Sequence, residues 1–161
     1  MIGLQRGAGL ASDGVVGPRT LAVLRRRRGR LGRLGEHASV PAEIDHWSRH
    51  YGVDGHLAWA LAWMESGYQP NLTSAVGAWG VFQVTPGTWE YVKNVLAGRL
   101  YPRTVEGNVR VGLVYLRDLL RTFGDARKAL AAWYTGPGRV RRHGIGPRGQ
   151  WFATTVLAIH C

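Results

Sequence analysis

Apolar positions along this chain recur at the three-to-four-residue spacing of a helix face, and strand-like alternation is scarce. Pro41 is predicted to open a helix that carries Ile44, Trp47 and Tyr51 on one side and stops at Gly52. Asp54 reads as the N-cap of a second helix, which runs through the apolar stretch Leu57 to Met64 and ends at Glu65-Ser66-Gly67. Residues 68–87, rich in Gly, Pro, Ser and Asn, are expected to be largely loop, with a short helix around Val81. Further helices are expected from Thr88 to Leu96, from Val105 to Phe123 with Gly124 as the stop, and from Asp125 to Tyr134. Gly136-Pro137-Gly138 breaks the last of these, and a final helix runs from Gln150 to the end. The expected fold class is therefore all-α.

The pattern changes before residue 40. Asp13-Gly14 and Gly17-Pro18 mark turns, and a helix is expected from Pro18. The run Arg25 to Ser39 combines glycine with like charges, both of which oppose compact packing, so it reads as a basic linker. Three regions result, 1–24, 25–39 and 40–161. With Leu4-Gln5 ahead of it, Asp13-Gly14-Val15-Val16-Gly17-Pro18-Arg19-Thr20 resembles the second half of a peptidoglycan-binding repeat.

Charge narrows the partners. The formal net charge is +11 over 161 residues, and Lys93 and Lys128 are the only lysines. An arginine-rich surface favours polyanions by raising their local concentration, which admits nucleic acid, an anionic membrane or a bacterial wall without choosing among them. Cys161 is the only cysteine, which excludes an internal disulfide. No signal-peptide pattern begins at Met1, and the apolar runs are too short to span a bilayer.

Glu65 then stands out. Eight apolar residues precede it, so its helix is apolar nearly all round and should be buried. A carboxyl at the end of such a helix loses solvation, which raises its pKa and keeps it protonated. Glycosidic cleavage needs such an acid, because the leaving oxygen must receive a proton. Taken alone, a Glu-Ser pair at a helix end is more often a solvated terminus.

The surroundings alter that balance. Glu65-Ser66-Gly67-Tyr68-Gln69-Pro70, then Ser74, Gly77-Ala78, Gly80, Gln83, Pro86 and Thr88, closely resemble the signature of lytic transglycosylases. Asn108, Gly112, Tyr115 and Leu116 fit a downstream block of that family, and Ala129 to Val140 fit another, so the resemblance spans roughly residues 41 to 140. It implies a lysozyme-like helical domain with a substrate cleft, and Glu65 as the single catalytic acid/base. It further implies that Ser66, Ser74, Gly77, Ala78, Gln83, Tyr115, Trp133 and Tyr134 meet the glycan. The bond cut would join N-acetylmuramic acid to N-acetylglucosamine, with 1,6-anhydro ends formed and no water consumed. The partner would be the peptidoglycan strand and not nucleic acid, with no cofactor or metal. An exported, periplasmic or wall-associated monomer is expected.

One departure bears on the chemistry. The family commonly has Tyr-Asn where this chain has Trp133-Tyr134. Trp133 stacks but offers no phenolic hydroxyl, and Tyr134, one residue on, points elsewhere on a helix. A muramidase that hydrolyses on the same fold, and a wall-binding module without catalysis, therefore stay open. His46 and His50 share a helix face, but no third ligand accompanies them, and they read as surface histidines.

Overall fold

The computed structural model describes residues 39–160. The peptidoglycan-binding-like segment at 1–24 and the linker up to residue 38 lie outside those residues. Seven α-helices follow: α1 (Ser39–Tyr51), α2 (Gly55–Ser66), α3 (Pro86–Tyr91), α4 (Val105–Phe123), α5 (Ala126–Thr135), α6 (Pro137–His143) and α7 (Pro147–His160). No strand forms among the described residues; two isolated bridges, Thr73 with Trp79 and Trp79 with Val84, pin the loop between α2 and α3.

The expected elements form, with five differences. α1 begins two residues ahead of Pro41, at Ser39. Val81 to Gln83 form turns instead of a short helix, because the Val81 carbonyl and the Phe82 amide are held from outside the loop, by Ser66 and Asn108. α3 starts at Pro86, with Thr85 accepting from the Thr88 amide, and runs on into a π-helical turn, Val92–Ala97. Pro137 opens α6 as well as closing off α5, since a proline suits the first turn of a helix, where its missing N–H has no partner anyway. The last helix likewise begins at a proline, Pro147, ahead of Gln150.

α4 is the centre of the core. Val109, Leu113, Leu116 and Leu119 on its inner face are fully buried. α5 presents Ala129, Leu130, Ala131 and Ala132 and packs against both α4 and α7. Small side chains allow that approach: a Cβ on Gly149 of α7 would lie 3.0 Å from the Ala131 Cβ. α2 is apolar on almost every side, and Leu57, Ala58, Ala60, Leu61, Ala62 and Trp63 are all buried. Burying its six apolar side chains against α7 and the loop gives α2 a fixed position, so the residue at its C-terminal end has one as well. Among the described residues no helix is long and apolar enough to cross a membrane.

Candidate active site

α2 ends at Ser66, and Gly67 takes the left-handed conformation (φ 61°) that lets its amide bond back to the Trp63 carbonyl. The chain turns sharply there. Tyr68, also at positive φ, tucks edge-on against Trp59 and Trp63 and donates its hydroxyl to the Trp59 carbonyl. Glu65, one residue from the end of the helix, is held by this cap in a half-buried position. Burial pushes its carboxyl up to about 7, and a hydrogen bond from Trp133 opposes that rise; no neighbouring charge contributes.

Trp133, on α5, donates its indole N–H to Glu65 Oε1 at 2.7 Å. The indole is held between Phe82, 6.3 Å away between ring centres, and Tyr115, 5.2 Å away. An indole nitrogen can only donate, so Oε1 is kept as the acceptor and Oε2 is left open to carry an acidic proton. Trp133 thus selects which oxygen of Glu65 is free to act. Tyr115 is buried, and desolvation together with Tyr91 and Asp118 pushes its phenol up to about 12, so it stays neutral.

The loop after α2 is assembled from backbone groups. Ser66 Oγ donates to the Val81 carbonyl at 2.7 Å and to the Ala62 carbonyl at 3.3 Å, which joins the helix end to the loop. Ser74 Oγ accepts from the Ala78 amide, and the Gly77 amide bonds to the Ser74 carbonyl. The Gln83 side-chain nitrogen, Nε2, donates to the Leu72 and Gly80 carbonyls, each at 2.9 Å. Asn108, wholly buried on α4, accepts from the Phe82 amide through Oδ1 and donates to the Trp79 carbonyl through Nδ2. Gly80 must be glycine for two reasons: its φ is 81°, and a Cβ would lie 2.5 Å from Asn108 Cγ. Similarly, a Cβ on Gly112 would meet Phe82 Cγ at 2.6 Å.

Of the residues expected to meet a glycan, the structure brings Trp133 to Glu65 directly and Tyr115 through Trp133. Ser66 is buried with its hydroxyl committed to two carbonyls, and so fastens the loop to α2. Ser74, Gly77, Ala78 and Gln83 build the same loop. Tyr134 goes elsewhere: it stacks on Phe152 with ring centres 4.6 Å apart and planes 8° from parallel. The hydroxyl that Trp133 lacks is therefore not supplied by Tyr134, and the donor that reaches Glu65 is the Trp133 indole N–H. Two functional roles escaped the sequence reading. Asn108 was matched as a motif position without its work as the clamp of the loop, and Trp133 was read for stacking without its donor. His46 and His50 are exposed and flank Trp47 edge-on.

Comparison with known proteins places this geometry. The chain is 34% identical over 103 residues to the soluble lytic murein transglycosylase of Salmonella typhimurium, covering 59% of this chain and 16% of that protein. It is 37% identical over 90 residues to its namesake from Escherichia coli, covering 52% of this chain and 14% of that one. The crystal structure of the 70 kDa soluble lytic transglycosylase from Escherichia coli superimposes with a TM-score of 0.67 at 26% identity, over 74% of this chain and 23% of that chain. The fold shared is all-α and lysozyme-like. The chain thus spans only a small part of the length of the relatives it matches. The family described as Transglycosylase SLT domain matches residues 43–150. This chain belongs to the Transglycosylase SLT domain family.

Proposed function

We propose that this chain is a peptidoglycan lytic transglycosylase in which Glu65 alone serves as acid and then as base. The observation that carries the reading is a half-buried carboxyl raised to about 7, with one donor on one oxygen and no neighbouring charge acting on it. A carboxyl with that value is substantially protonated near neutrality. Two-carboxylate glycosidases place a second acidic group about 5–10 Å from the first. At that distance a second carboxylate would itself raise Glu65, and none contributes here.

The chemistry follows from the single group. Protonated Oε2 of Glu65 gives its proton to the glycosidic oxygen between N-acetylmuramic acid and N-acetylglucosamine, and the C1–O bond breaks with the electron pair leaving on that oxygen. The substrate's own acetamido oxygen steadies the positive charge at C1. Glu65, now a carboxylate, keeps the Trp133 N–H on Oε1, a charge-assisted bond stronger than the one made to the neutral acid. The carboxylate then takes the proton of the muramic C6 hydroxyl as that oxygen closes on C1. A 1,6-anhydro end forms, no water is consumed, and Glu65 is returned to its protonated state. In this reading residues 40–161 are the catalytic domain, residues 25–39 a basic tether and residues 1–24 a wall-directed segment, and the protein acts outside the cytoplasm on the cell wall.

Glu65→Gln tests the assignment. It is expected to abolish release of muropeptides from purified peptidoglycan and to leave sedimentation of the protein with that wall material intact. Undiminished release by the variant would remove Glu65 from the mechanism.

A further inference from the structure

The Glu65 site leaves most of the chain's positive charge unused, and that charge gathers toward the C-terminus. After Asp118 there are seven Lys and Arg side chains and one acid, Asp125. Among the described residues none of the seven forms an ion pair. Asp125 is occupied as the N-cap of α5, where it accepts from the Lys128 amide at 2.8 Å. Asp118 accepts from the Tyr91 hydroxyl.

Two of these cations share a recess. The end of α4, the first turn of α5 and the α6 helix surround a cavity of about 370 Å³, lined by Lys128 and Arg141 together with Phe123, Val140 and Ile145. The Arg141 guanidinium lies over the Phe123 ring, 6.0 Å from its centre, while Arg141 itself stays exposed. Arg121 and Arg142, each next in the chain to a lining residue, are exposed as well and add to the positive potential.

What the recess lacks narrows the polyanion it fits. No carboxylate lines it. Phe123 and Ile145 are half-buried, and none of the large apolar side chains exposed among the described residues belongs to the lining. Nothing there can enter a bilayer, and no exposed ring is offered to an unpaired base. The recess therefore suits a charged backbone that carries neither bases nor acyl tails. Lysine supplies a point charge and arginine a planar fork of donors, and both bind phosphate oxygens well.

We propose that this recess binds a phosphodiester polymer of the cell wall, with Lys128 and Arg141 on its phosphates. The proposal rests on the reading that the chain acts on peptidoglycan, and so meets its polyanions in the wall. Lys128 precedes Trp133 by five residues on α5, about 7–8 Å along the helix axis. A polymer held there would keep the enzyme on polymer-bearing wall and lower KM without entering the chemistry.

Two measurements test this. In the first, full-length protein is titrated with poly(glycerol phosphate) over a range of salt concentrations. The Lys128→Gln/Arg141→Gln/Arg142→Gln variant is expected to bind about tenfold more weakly near physiological salt. Its salt slope should be shallower by about two, since each contact to a single-stranded polyanion contributes about 0.7. Arg141→Lys/Arg142→Lys keeps the charges and should retain most of the binding, which separates lost charge from a damaged fold. Changing Arg25 to Arg28 to glutamine should leave the slope difference in place. In the second, wild type and the triple variant digest walls that carry the polymer and walls stripped of it with hydrofluoric acid. On polymer-bearing walls the variant should show about a tenfold higher KM at unchanged kcat, and on stripped walls it should match wild type. Polymer binding that survives the three substitutions, or that vanishes with Arg25 to Arg28 alone, would overturn the proposal. Equal losses on both walls, or no loss on either, would do the same. So would a single-stranded oligonucleotide or an anionic phosphatidylglycerol vesicle that binds through the same three residues as tightly as poly(glycerol phosphate). If wild type digests neither wall, the reading of Glu65 has failed, and the titration decides the recess by itself.

Discussion

α2 and the loop that follows it form the Glu65 site together, yet they reach their conformations by opposite routes. α2 satisfies its own ends: Asp54 Oδ1 accepts from the amides of His56 and Leu57, and the Gly67 amide closes on Trp63. The loop from Leu72 to Val84 bonds many of its own groups, as between Ser74 and Ala78 and between Trp79 and Val84, but does not complete itself. Its Phe82 amide depends on Asn108, 26 positions away, and its Val81 carbonyl on Ser66 at the helix end, while Asn108 also donates to the Trp79 carbonyl, 29 positions away. The difference shows where precision comes from. The Glu65 carboxyl sits on the element that local sequence determines, whereas its aromatic surroundings are set by an element borrowed from tertiary contacts. Phe82 belongs to the loop, and it touches the Trp133 that holds Glu65.

Changes at these two elements should therefore separate chemistry from scaffold. The largest effect is expected from Glu65→Gln, which leaves both elements in place but removes the acid: activity falls by roughly a thousandfold or more, the upper part of the range for general acid catalysis. Stability should move the other way. The folded Glu65 has its pKa raised from 4.5 to about 7, so the folded state binds the extra proton, and stability falls as pH rises from about 4.5 through about 7. Above that window the neutral glutamine should be more stable than wild type, by at most about 3 kcal/mol, and should melt at a higher temperature. Identical melting of both proteins at pH 8 would contradict the raised pKa.

Asn108→Ala comes next, because it attacks the borrowed element. It strands the Phe82 amide in the core and leaves the Trp79 carbonyl with the Val84 amide alone, a loss of about 1–3 kcal/mol in chemical denaturation. Activity is expected to fall with it, while the helical circular dichroism signal at low denaturant stays near that of wild type. Trp133→Phe keeps the ring and removes the donor. Losing a charge-assisted hydrogen bond of about 1.5–3 kcal/mol should lower kcat roughly ten- to a hundredfold. The bond it removes holds the Glu65 pKa down, so the alkaline limb of the kcat/KM profile, near pH 7 in wild type, should move to higher pH. A limb that stays in place would mean that the indole does not tune the acid. Asp54→Ala, at the self-sufficient end of α2, is the mildest: loss of the N-cap should lower stability by about 1 kcal/mol with kcat unchanged.

The same contrast explains what could be read from the chain. Asp54, the eight apolar residues after Gly55-His56, and Gly67 lie within one element, so α2 and the desolvated place of Glu65 were legible from spacing and caps. Gly124 as the stop of α4 was legible for the same reason. The turn at Val81 to Gln83 was not, because an amide partner 26 residues away leaves no local mark. Nor was the indole bond: Trp133 where a tyrosine is common reads as a lost hydroxyl, and only the position of the ring shows that a different donor reaches the same carboxyl. Gly136-Pro137-Gly138 reads as a break, yet Pro137 also starts a helix, and Pro147 starts the last one three residues ahead of Gln150.

Mass spectrometry of the products released from purified peptidoglycan by the wild-type protein tests the central claim most directly. If Glu65 first donates a proton and then draws the C6 hydroxyl onto C1, the muramic ends are anhydro sugars that weigh one water less than reducing ends. Reducing ends alone would show that water completes the reaction, and would contradict the transglycosylase reading while leaving Glu65 as the acid.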